Sequence, residues 1–103
     1  MPYIKQEQRN GFDTELLDLI DRVLDHPQEE RDGILNYLIS NLVATGINPE
    51  FEDWRYKDIA RAVAVFECAK MEFYRRVAAP KENVAIEQNG DIGPYEMWPT
   101  VTR

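Results

Sequence analysis

The chain has 103 residues, 44% of them hydrophobic and 30% charged, and a formal net charge of -7 at neutral pH. That length suits one modest core and favours association with further copies, while the acidic balance opposes an extended duplex of DNA or RNA, whose phosphates it would repel. A mean hydropathy of -0.52 and the lack of any apolar run near the ~20 residues of a membrane span argue against a membrane protein. The opening MPYIKQEQRNGF carries no apolar stretch of the signal-peptide kind, so a cytoplasmic location is expected.

Residues 1 to 11 read as an irregular polar lead-in closed by Gly11, with Tyr3 and Ile4 able to pack as a short extended arm. A first helix is predicted over about 13 to 25, where Leu16, Leu17, Ile20, Val23 and Leu24 recur at helical spacing and Asp13 or Thr14 can cap the start. Asp18, Asp21 and Asp25 lie on its outer side. A metal would need a facing histidine or a second acidic cluster, and a solvated face explains these carboxylates without one.

His26 and Pro27 end that helix, and Pro27 suits the first position of the next, read over 27 to 45 with Gly46 as its stop. Glu29 and Glu30 favour its positive end. Ile34, Leu35, Leu38, Ile39, Leu42 and Val43 form a wide apolar face, and opposite them stand Asn36, Tyr37, Ser40 and Asn41. Uncharged polar groups cost less to desolvate than ions. Such a face suits contact with another subunit or, at one further assumption, with a polar ligand.

INPEFEDWR is read as a short helical turn begun at Asn48 and Pro49, with Phe51 and Trp54 as apolar anchors and Asp53 as the cap of a third helix over 56 to 78. That third segment, YKDIARAVAVFECAKMEFYRRV, contains neither Gly nor Pro and is the strongest helical signal in the chain. At 100° per residue Ile59, Val63, Phe66, Phe73 and Val77 fall within roughly 80°, which predicts a core-facing stripe. Lys70 projects into that arc and Glu67 lies at its edge, with Tyr74 one turn beyond Lys70. One reading makes these a structural polar pair that fixes how the helix docks; the other makes Lys70 an anion contact oriented by Glu67. Cys68, the single cysteine, agrees with a reducing compartment and with small-residue packing, since nothing places it beside His26, the only histidine.

Charge is distributed unevenly. Residues 1 to 54 hold four basic and twelve acidic side chains, whereas residues 55 to 81 hold seven basic and three acidic ones. The third helix is a basic rod in an acidic chain, able to complement the first half within one copy or between copies. Pro80 is expected to end it. A further short helix fits 81 to 88, Asn89 with Gly90 and Gly93 with Pro94 mark turns, and Ile92, Tyr95, Met97 and Trp98 dot a tail over 92 to 103. The expected architecture is all-α: a single helical domain over 1 to 91 with three main helices, homo-oligomeric through the third helix and the tail.

The runs LNYLISNL, FECAKMEFYRRVAAP and IEQNGDI resemble a group of small uncharacterised proteins of phage and bacterial genomes with the pattern LNY, ECAK, EFYRR, proline, ENGD. The resemblance spans roughly residues 34 to 92 and singles out Asn36, Tyr37, Glu67, Lys70, Glu72, Tyr74, Arg75, Arg76, Asn89, Gly90 and Asp91. Members often carry tyrosine and glutamate after the proline, where this chain has Lys81 and Glu82.

Walker loops, dinucleotide-binding glycine fingerprints, HExxH and paired CxxC motifs are all missing. The functional expectation is therefore a non-enzymatic binding protein without cofactor or metal, in its most specific form a phage-type protein of the host cytoplasm that sequesters a small phosphorylated metabolite or nucleotide signal in counter-defence. Lys70, Arg75 and Arg76 would hold phosphate oxygens, while Tyr74, Tyr37, Asn36, Asn41 and Glu67 would shape or orient the site. The first alternative is an interaction module that binds a host or virion protein. The second is an all-α nucleotide pyrophosphohydrolase, which would need two carboxylate clusters around magnesium; Glu67, Glu72 and the EFED run at 50 to 53 are the only candidates and lack that spacing.

Overall fold

A computed structural model describes residues 3 to 97, and among these every regular element is helical. The order is α1 (Gln6–Arg9), α2 (Asp13–Leu24), α3 (Gln28–Ile47), α4 (Tyr56–Phe73), a π-helical turn (Tyr74–Ala78), α5 (Ala79–Asn89) and α6 (Gly93–Met97). α4, the π turn and α5 follow without a break and make one helix of 34 residues. By its contacts the chain divides into two compact units, Met1–Glu67 and Cys68–Arg103.

In the first unit, α1 occupies part of the expected lead-in. The Lys5 amide donates to Gln8 Oε1 at 3.1 Å, a one-turn helix too short for periodicity to reveal. α2 begins at Asp13 as its pattern predicts, but neither Asp13 nor Thr14 caps it: Phe12 takes the N-cap position without a side-chain bond. α2 and α3 form a helical hairpin across the His26-Pro27 step. Arg31 ties the hairpin by donating through Nε to the His26 carbonyl at 2.9 Å and through its terminal nitrogen to the Leu24 carbonyl at 3.0 Å. Those carbonyls lie at the C-terminal end of α2, where the helix ladder leaves acceptors open and a cation is favoured. Val23, 8% exposed, is the one buried apolar side chain among the described residues.

Gly46 does not stop α3, which runs on to Ile47. A glycine weakens a helix by about 1 kcal/mol relative to alanine and need not break it. The stop comes at Asn48, held at φ -140 and ψ 85, because the following Pro49 drives its predecessor out of the helical region. The expected helical turn at Asn48 gives way to an irregular connector in which Asn48 Nδ2 donates to the Glu52 carbonyl at 2.8 Å. Phe51 (φ 57) and Asp53 (φ 51) adopt left-handed backbone, which non-glycine residues seldom do. Asp58 supports the start of α4: its Oδ2 accepts from the Arg55 amide at 3.4 Å.

The long helix passes straight through Pro80, which the sequence reading treats as its end. Proline removes one backbone donor and crowds the carbonyl four residues back. Here the wider π turn at Tyr74–Ala78 precedes it, and Ala79 donates to the Tyr74 carbonyl five residues back, so the ladder is reset before the proline sits at the start of α5. The helix ends at Gly90, whose φ 90 and ψ 155 lie in a region open essentially to glycine alone. The NGD run thus includes a structural stop. Ile92 and Tyr95 are exposed around α6; Trp98 and residues 98 to 103, read as tail, lie outside the described residues.

The expected core stripe is not covered. Ile59 is 45% exposed, Val63 53%, Phe66 40%, Phe73 65% and Val77 51%. The packing centre is the α2–α3 hairpin rather than the basic rod, because a helix can satisfy its backbone by its own ladder without burying its apolar side. No helix among the described residues is long and apolar enough to cross a membrane.

Candidate functional site

Three surfaces merit comparison. The first surrounds the π turn. Glu72, its side chain only 14% exposed, accepts from the Arg75 guanidinium at 2.7 Å and from Arg76 Nε. Charge-assisted hydrogen bonds from Arg76 first, then Arg75, hold the Glu72 carboxyl below the ordinary carboxylate range. Tyr74 reaches the other way, donating its hydroxyl to Glu82 Oε1 at 2.5 Å across the π turn and Pro80. That bond to a carboxylate raises the Tyr74 pKa, since ionising the phenol would lose the donor and set two anions together. Lys70 is exposed on α4, as is Glu67 in the first unit, and each is engaged in an interaction of its own.

The second surface is the neutral polar side of α3, which belongs to the first unit. Ser40 Oγ donates to Asn36 Oδ1 at 3.0 Å and Asn41 Nδ2 to the Tyr37 carbonyl at 2.8 Å, both one helical turn apart. Tyr37 is 68% exposed. These bonds are local, so they satisfy part of the side chains' capacity without converging on one point.

The third surface is a groove of about 390 Å³ along the hairpin. α2 supplies Leu16, Leu19, Ile20, Val23 and Leu24; α3 supplies Leu35, Leu38, Ile39 and Leu42; Arg31 closes one end. None of the eight expected ligand residues lines it, and no residue of α4 does. The i, i+3, i+4 spacing brings both sets of apolar side chains to one side of the hairpin. Leu16 (50%), Leu24 (55%) and Leu42 (67%) remain half or more exposed at its rim.

Helical spacing in the sequence marks most of this lining as apolar helix faces, without showing that they border an open groove. Leu19 was absent from the predicted face, where Leu17 stood instead; Leu17 is 60% exposed and lies outside the groove. The roles of Arg31 and Glu82 were missed. A basic residue shortly after a helix-ending His-Pro step is a signal for the first; the second was hidden by taking Pro80 as a stop. Among the described residues no three His, Cys, Asp or Glu side chains are grouped so as to hold a metal ion.

Fold and surfaces together describe an all-α chain built from an open helical hairpin and a long, π-interrupted helix. The chain belongs to the family described as "Domain of unknown function (DUF6899)", which it matches over residues 1–92. Neither a curated protein nor a solved structure matches it.

Proposed function

We propose that this chain is a non-enzymatic binding protein that works by accepting another polypeptide in the α2–α3 groove. The observation behind it is an open apolar concavity, lined by nine aliphatic side chains and one arginine, in a chain 30% charged. Burying a leucine-sized side chain contributes roughly 1.5–3 kcal/mol. With several rim leucines left exposed, folding of the single chain leaves that gain for a partner. Contiguous exposed apolar surface marks interaction sites, and an amphipathic helix laid in a groove is a recurrent way to fill one. A small polar substrate would need several convergent polar groups. The lining offers only Arg31, which already serves two carbonyls.

Sequestration of a phosphorylated ligand by Lys70, Arg75 and Arg76 ranks second, because Glu72 already pairs with both arginines, one nitrogen of each. A phosphate would have to displace or share that carboxylate. To test the first reading, a photo-crosslinking residue replaces Leu42 in the full-length chain within producing cells, and Tyr37 in a control. A polypeptide adduct from position 42 and none from position 37 is expected. No adduct from position 42 would contradict the proposal.

A further inference from the structure

On the strength of that reading, we infer that the groove's occupant is a second copy of this chain: the Ile59, Val63 and Phe66 side of α4 from each copy lies in the α2–α3 groove of the other. The chain carries two uncovered apolar surfaces of unlike charge. Residues 13 to 47 hold eight carboxylates and two guanidinium groups, while α4, residues 56 to 73, holds three basic and three acidic side chains and is neutral overall. Two acidic hairpins placed groove to groove would repel, whereas the neutral α4 enters an acidic groove without that cost. The dimensions agree. Ile59 to Phe66 and the groove's Leu35 to Leu42 each cover about 10 Å of helix, so the stripe matches the groove that receives it.

The available area also reaches what a stable dimer needs. Six groove side chains with exposures of 42 to 67%, from Leu16 to Leu42, and three stripe side chains with exposures of 40 to 53%, Ile59, Val63 and Phe66, stand open on each copy. At roughly 80 Å² apiece they bring about 700 Å² per copy, within the range of an ordinary specific interface. Reciprocal exchange makes the same contact twice and closes the assembly as a two-fold dimer, with no further copy required. The connector fits this use: Phe51 and Asp53 hold left-handed backbone between α3 and α4, and short hinges under strain favour exchange between copies over closure within one.

The test uses two full-length variants, Leu42→Asp in the groove and Val63→Asp on the stripe. Both positions are exposed in the single chain, at 67% and 53%, so circular dichroism should report wild-type helicity for each. By sedimentation, wild type should be a dimer, and each variant alone should be a monomer. An equimolar mixture should regain dimer, because the mixed pair keeps one contact wholly intact, which misfolded chains could not do. A monomeric wild type, a Val63→Asp variant as dimeric as wild type, or a mixture that stays monomeric would each overturn the inference. A monomeric wild type whose position-42 crosslinker still captures a polypeptide would overturn this inference alone; loss of that adduct as well would remove the reading beneath it.

Discussion

The α2–α3 hairpin and the 34-residue helix use the same apolar residue types and are held together by different means. In the hairpin, two consecutive helices pack face to face with Val23 buried, and Arg31 spans the turn to the end of α2. The long helix relies on near neighbours: Glu72 with Arg75 and Arg76, and Tyr74 with Glu82. Exposed pairs of that kind contribute little each. One region therefore owes its persistence to packing and the other to its ladder and local pairs, and both leave apolar surface for an additional partner.

Breaking the packed region should have the largest effect. Val23→Asp places an unpaired carboxylate at the most buried position and should cost about 3 kcal/mol or more. At concentrations below association, hydrogen exchange should show α2 and α3 losing protection while the ladder of α4 keeps its own. Equal loss in both would mean that the two regions are not independently held.

A smaller effect of opposite sign is expected in the ladder. Pro80→Ala restores a backbone donor and should stabilise the long helix by about 1 kcal/mol, with the π turn relaxing to α geometry. Amide chemical shifts around Tyr74–Ala78 would record the change. An unchanged π turn would show that the Tyr74 to Glu82 bond, rather than the proline, maintains it.

The smallest effect concerns pH. Glu72 has a lowered pKa in the fold, so its ionised form contributes stability that is fully present above the ordinary carboxylate pKa and is lost as pH falls through the lowered value. Acid titration followed by circular dichroism should show this loss in wild type, and Glu72→Gln should flatten it. An unaltered titration in the variant would assign the effect to other carboxylates.

Periodicity made the helical class legible, and with it the hairpin's apolar side from Leu16 to Leu42. Boundaries set by one residue were less so. Gly46 was read as a stop although its intrinsic penalty is small, and Pro80 was read as another although a preceding π turn can absorb its missing donor. Neither adjustment leaves a trace in residue spacing. The basic excess of residues 55 to 81 is legible, but the helix runs on through Glu82 and Glu87 and is nearly neutral as a whole; the pairing of Arg75 and Arg76 on Glu72 is only implicit in their three- and four-residue separations. Which apolar surface covers which was not legible at all. A stripe at helical spacing has the same pattern whether it meets its own chain or another.

The most direct measurement is hydrogen exchange of the full-length protein over a range of its own concentration, following α3 from Leu35 to Leu42 and α4 from Ile59 to Phe66 together. Protection should rise in both segments over the same concentration range, as reciprocal docking requires. Protection that is independent of concentration, or that rises in one segment alone, would contradict the account.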